Sequence, residues 1–225
     1  MYDVVILPLL SITTLFLDLA SNTRLIALVR DDRMIASASI DSTTGEGQLL
    51  PLIESMLSKG KITFKDLDRI ASTTGPGGFM SLRVGIALAN ALSDSLKIPL
   101  AGVHLSDLWA ARLPSSLAPP PKGEGKQKFG VLWVHSTKKE FVFVRSFGAD
   151  AKHWREPTLE KIDDLKNVIL DRTPYVGELI ESQQASLPQL KKAEHPKSVE
   201  EVLPELLETL TYEMKSLSPW YGRGA

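Results

Sequence analysis

The sequence has 225 residues, 43% of them apolar and 24% charged, the proportions of an ordinary globular chain. Lys and Arg number 26 against 27 Asp and Glu, so the formal net charge is −1 and a strongly basic nucleic-acid binder is excluded as a bulk property. The absence of cysteine removes disulfide frameworks, thiolate nucleophiles, Cys-ligated zinc and iron–sulfur clusters, and suits a reducing cytoplasm.

Val4–Leu17 (VVILPLLSITTLFL) is apolar, but Asp3 precedes it where a signal peptide carries Lys or Arg. Pro8 interrupts a run already shorter than the roughly 20 residues that span a bilayer. The run is expected to be a buried strand with an apolar lead-in. Thr13–Asp18, Thr23–Arg30 and Arg33–Ile40 read as an antiparallel meander, with Asp31–Asp32 as a turn. Leu49, Leu50, Ile53, Met56 and Leu57 follow the helical period, predicting a helix over Glu46–Leu57 with Pro51 near its start. Asp68–Thr73 reads as a strand, Gly75–Gly78 as a turn and Phe79–Leu96 as a helix. Pro99–Val103 reads as a further strand and Ser106–Arg112 as a helix. Strands giving way to alternating helix and strand predict an α/β fold with mixed sheets.

Pro114–Lys128 (PSSLAPPPKGEGKQK) reads as a long loop rather than core. It divides the chain into a larger lobe over 1–113 and a smaller one over 129–225. The second lobe is expected to hold strands at Phe129–His135 and Glu140–Phe147 and helices at Ile162–Leu170 and Glu200–Ser216. No internal repeat emerges. Lys122, Lys126, Lys128, Lys138 and Lys139 form a charge run of the solvated kind, with an RNA backbone contact as the alternative.

His104, His135, His153 and His195 form no HxxxH pair, so no metal or other cofactor is expected. No GxSxG elbow is present either. The most informative stretch is Ser72–Gly85, STTGPGGFMSLRVG. A strand, a glycine turn and a helix in that order can present N–H groups to an anion. The missing Lys-Ser/Thr and GxGxxG spacing favour a tight turn with glycine dihedrals. Along the following helix the long polar side chains Arg83, Asn90 and Asp94 make one narrow stripe, and nearly everything else is apolar. One face must cover the sheet, and the other is then expected to meet a protein partner, the alternative being that the second lobe or the apolar lead-in covers it. The residues assigned to that interface are Leu49, Ile53, Met56, Leu82, Gly85, Ile86 and Ala89, with Gly85, Ala87 and Ala91 small enough for close helix approach.

The stretch from Ser72 to Ala110 resembles the signature of the TsaB (YeaZ) family, usually GPGSFTGLRxG, an Ala-rich helix and then PxxGVSSLxALA. Gly75, Pro76, Gly77, Phe79 and Arg83 fall on its motif loop. Leu15–Asp18 with Ala20-Ser21 resembles the family's opening strand and Asp-Thr-Ser. Leu49-Leu50-Pro51-Leu52-Ile53 resembles its LLPxI helix, and Pro219-Trp220-Tyr221-Gly222-Arg223 its closing P-x-Y-x-R. Departures fall at Gly78-Phe79-Met80-Ser81, at Thr44-Gly45-Glu46 and at His135-Ser136-Thr137-Lys138-Lys139-Glu140. The resemblance implies an actin/Hsp70-like (ASKHA) fold of two ribonuclease-H-like lobes. It implies a non-catalytic role in making threonylcarbamoyladenosine in tRNA. The implied partners are a TsaD-like catalytic subunit and a TsaE-like ATPase, with a homodimer when alone and tRNA met mainly through the complex. An ASKHA small-molecule kinase competes, but Asp18 is followed by Leu19-Ala20-Ser21-Asn22-Thr23, without the glycine of a phosphate turn. A glycoprotease-like peptidase lacks a visible metal pair or nucleophile.

Overall fold

The computed structural model describes residues 11–41, 44–113, 130–148, 153–194 and 196–222. The lead-in before residue 11, the whole Pro-rich stretch with Lys122, Lys126 and Lys128, His195 and Arg223 lie outside the described residues.

The first half runs β1 (Thr13–Asp18), β2 (Leu25–Arg30), β3 (Arg33–Ser39), α1 (Leu49–Lys59), β4 (Arg69–Gly75), α2 (Phe79–Leu96), β5 (Leu100–His104) and α3 (Leu105–Ala111). The second runs β6 (Val131–Ser136), β7 (Phe141–Phe147), β8 (Thr158–Lys161), α4 (Ile162–Val168), β9 (Thr173–Glu178), α5 (Glu181–Ser186), β10 (Leu190–Lys192) and α6 (Val199–Glu208). The sheets are ordered β3-β2-β1-β4-β5 and β10-β9-β6-β7-β8. In each, the first strand pairs antiparallel with the second and parallel with the fourth. The two halves therefore share one topology, a repeat of architecture without a repeat of sequence.

Strand β1 is buried throughout, as a strand covered on both faces must be. Leu15 and Leu17 point to α1 and α2, in a core with Ile53, Met56 and Ala89. Phe16 points the other way, into a second core shared with Trp109, Trp133, Phe143 and Leu203. That second core joins the halves, since Trp133 and Phe143 come from the second sheet. Helix α6, the last element of the second half, packs on α3 and β3 of the first.

Three expectations are corrected. Strands β8, β9 and β10 and helix α5 are absent from the sequence reading. The helix expected over Glu200–Ser216 ends at Glu208, after which Leu100 and Glu213 form an antiparallel bridge. The first helix begins as a 3-10 turn over Glu46–Gln48 and becomes α-helical only at Leu49.

Candidate functional site

The carboxyl ends of β1, β4, β5, β6 and β9 converge on the cleft between the two sheets, the place where α/β folds put their ligands. Asp18 ends β1 and is 1% exposed. Its carboxylate accepts from the Ala20 and Ser21 amides at 3.1 Å, the Ser21 hydroxyl at 2.5 Å and the Thr73 hydroxyl at 3.0 Å. Oδ1 takes three of these donors and Oδ2 one, so the carboxylate holds the following loop in place. Across the cleft, Glu178 at the end of β9 accepts from the Asn22 amide at 3.0 Å. The cleft is thus bridged by the chain's own bonds.

Behind Glu178 lies an aromatic cluster. The Trp133 and His135 rings stack at 5.7 Å, and His104 meets Trp133 edge-on at 5.8 Å. Among the described residues, His104 Nε2, Trp133 Nε1 and His135 Nδ1 are buried without a hydrogen-bond partner. His104 caps α3, its Nδ1 accepting from the Ser106 amide at 3.1 Å, so a neutral ring carries its proton on Nε2. Burial pushes both His104 and His135 down to about 4, and burial raises Glu178 above the usual carboxylate value. The histidines are therefore neutral in the fold and protonate first in the unfolded chain. Stability is expected to fall as pH drops from 6.5 towards 4, by roughly 3 kcal/mol per histidine at the lower end. Glu178 acts in the opposite sense, because its ionised form is disfavoured and acid relieves it, and it offsets part of that loss. Urea unfolding at pH 7 and pH 4.5 checks the sign. A dependence unchanged in His104→Gln/His135→Gln would rule these rings out as its source.

The glycine turn serves packing. The β4–α2 connection places Gly75 at φ +123°, and a Cβ there would lie 2.6 Å from the Trp220 carbonyl oxygen. A Cβ on Gly77 would lie 2.3 Å from the Ala20 carbonyl oxygen. Both glycines admit another stretch of backbone, and Pro76 between them follows a cis peptide. The tight turn favoured on the sequence is what forms. Arg83 lies 3.9 Å over the Phe79 ring and donates from Nε to the Tyr221 hydroxyl at 2.9 Å. The motif loop and the closing P-x-Y motif, far apart in sequence, therefore meet in space.

The helix faces differ from expectation. Leu49, Ile53, Met56, Leu82, Gly85, Ile86 and Ala89 are all buried within the chain itself. Gly85 is small for an internal reason: Leu19 Cβ would be 3.2 Å from a Cβ there. The narrow polar stripe of α2 grips the C-terminal segment, Arg83 through Tyr221 and Asn90 through a two-way bond to the Leu217 backbone at 3.0 and 2.8 Å. The remaining side of α2, with Met80, Ala87 and Ala91, is exposed, and Val84 and Leu88 beside it are half-buried. Leu50 on α1 is also exposed. An open pocket of about 190 Å³ lies between the starts of the two helices, lined by Leu19, Arg24, Leu49, Met80, Ser81 and Val84 among others. An interface on these helices would use this outer strip rather than the seven buried positions.

Residues 43–120 match the family model described as TsaD, tRNA N6-adenosine threonylcarbamoyltransferase. The tRNA threonylcarbamoyladenosine biosynthesis protein TsaB of Buchnera aphidicola subsp. Schizaphis graminum is 42% identical over 65 residues, covering 29% of this chain and 31% of that protein. The tRNA N6-adenosine threonylcarbamoyltransferase of Bacillus subtilis is 39% identical over 138 residues, covering 58% of this chain and 36% of that protein. The chain spans less than half the length of the curated relatives it matches. The structure of YeaZ from Pseudomonas aeruginosa superposes with a TM-score of 0.65 at 18% identity, over 93% of this chain and 99% of that one.

The chain is similar to TsaB proteins over part of its length. Its two lobes have the fold of YeaZ from Pseudomonas aeruginosa. The sequence pointed to Asp18 and the glycine turn but gave Glu178, Trp133 and Asn90 no role. The apolar pairing of Trp133 with His135 at alternate positions of one strand was the available signal for the cluster. Asn90 carried a signal too, as a lone amide on an apolar helix. Among the described residues no three His, Asp or Glu side chains gather as metal ligands, and no helix is long and apolar enough to cross a membrane.

Proposed function

We propose that this chain is a non-catalytic partner subunit in the synthesis of threonylcarbamoyladenosine in tRNA, binding and supporting a TsaD-like catalytic subunit. The observation that carries the reading is the solvent-facing apolar strip of Leu50, Met80, Ala87 and Ala91 on α1 and α2. It is supported by relatives named for that pathway and by a cleft whose acid, Asp18, is engaged by its own loop and by Thr73. A TsaE-like ATPase joins the pair, the chain pairs with itself when alone, and tRNA is met mainly through the complex. The protein works in the cytoplasm, as two lobes over 1–113 and 129–225 joined by the Pro-rich segment.

The test is co-purification with the TsaD of the same organism, followed by reconstitution of the tRNA modification. Met80→Glu combined with Ala87→Arg is expected to weaken that association at least about tenfold while leaving the melting temperature within a few degrees, because both side chains face solvent. Undiminished binding would remove the strip from the interface. Micromolar ATP binding by the isolated protein would favour the small-molecule kinase instead.

A further inference from the structure

After α6 the chain does not stay with the second half. It bridges to β5 at Glu213, is held by Asn90 at Leu217, and reaches the glycine turn, where the Trp220 amide donates to the Thr74 carbonyl at 2.7 Å. There the Trp220 ring enters the cleft between the lobes. It stands edge-on to His104 of the first lobe, ring centroids 4.5 Å apart at 86°, and tilts against Phe143 of the second lobe at 5.0 Å. Two glycines fit the backbone around it. A Cβ on Gly75 would strike the Trp220 carbonyl, and one on Gly222 would lie 2.1 Å from the Phe143 ring. The slot is thus shaped from both lobes. Beneath it lies the core cluster that contains the fully buried Trp133, against which Trp220 packs. An open pocket of about 260 Å³ lies at its mouth, lined by His104, Asp107, Arg145, Glu156, Pro157 and Trp220.

The geometry points to a binding slot for a planar aromatic ring between the two lobes, which the chain fills with its own Trp220. The indole is then an internal ligand that adds to the shared core in holding the lobes in one relative orientation. The outer bonds, Asn90 to Leu217 and Arg83 to Tyr221, hold the segment so that the ring stays seated at high effective concentration.

The absence of native cysteine makes the test direct. Spin labels are placed on Ser58→Cys in α1 and Ser182→Cys in α5, both exposed, and the distance between them is measured by pulsed electron resonance in the full chain. With Trp220 present a single narrow distance is expected. Trp220→Ala is expected to broaden the distribution, and millimolar indole to narrow it again. A folded Trp220→Ala protein that keeps the narrow distance overturns the tie, and a broadened one that indole does not narrow overturns the slot. Where Trp220→Ala fails to fold, Asn90→Ala takes its place. It leaves the ring intact, loosens its anchor and is expected to broaden the distance in part. An unchanged distance in Asn90→Ala then overturns the proposal.

Discussion

Ile86→Glu unfolds the protein. Ile86 is 3% exposed and packs with Ala20 and Leu82 beneath α2, where the C-terminal Leu217 also closes over it. An ionised carboxylate there has no water and no cation to pair with, and neutralising it by protonation still leaves a polar group among aliphatic ones. The expected loss is more than about 4 kcal/mol, a large fraction of what holds an ordinary domain together. The neighbouring Ala87→Glu supplies the contrast. Ala87 is exposed, so the same charge one residue on should shift stability by no more than about 0.5 kcal/mol. Urea denaturation followed by circular dichroism measures both. An Ile86→Glu protein that unfolds near the parent midpoint would mean this part of α2 is surface after all.

Asp18→Ala carries the second large effect. The side chain is enclosed by donors from two elements: the amides of Ala20 and Ser21, the Ser21 hydroxyl, and the Thr73 hydroxyl on β4. Removing it leaves four donors facing a buried void. Bonds to a charged acceptor are among the stronger ones, and orphaned buried donors carry their full desolvation cost, so a loss of roughly 3–5 kcal/mol is expected. Asp18→Asn keeps one acceptor oxygen, and the Ser21 hydroxyl can rotate to accept from its amide, so about 1–2 kcal/mol is expected. The ordering of the two variants by thermal melting is the measurement. Equal stability of both with the parent would mean that the carboxylate does not hold the loop.

Much of the first lobe was legible in the sequence. Helix α2 was placed over Phe79–Leu96, its observed span, because glycines end β4 just before it and its interior holds no proline and a single glycine, Gly85. The strands β1 to β5 were each placed to within a few residues, since their apolar runs are bounded by turn residues. The second lobe was less legible for a physical reason. Strands β8 (TLEK) and β10 (LKK) are short, polar and at sheet edges, and β9 (TPYVGE) contains Pro and Gly. What makes them strands is pairing with neighbours, not an alternation within themselves. The seven positions assigned to an interface are buried within the chain, because the helical period reveals which positions are apolar and not what covers them. Leu19 and Leu217, distant in sequence, cover much of that surface. The duplicated topology was invisible because each half keeps only the pattern of elements, on different residues.

The core between the sheets bears on how the molecule comes apart. Phe16 and Ala27 of the first sheet, Trp133 and Phe143 of the second, and Leu203 and Leu207 of α6 belong to one contiguous cluster. Neither half encloses that cluster alone, so neither has a complete interior until the other has folded. Heating is therefore expected to give one cooperative transition, its calorimetric and van't Hoff enthalpies in agreement, rather than two separable ones. A chain cut within the Pro-rich segment would yield fragments that gain structure only when mixed.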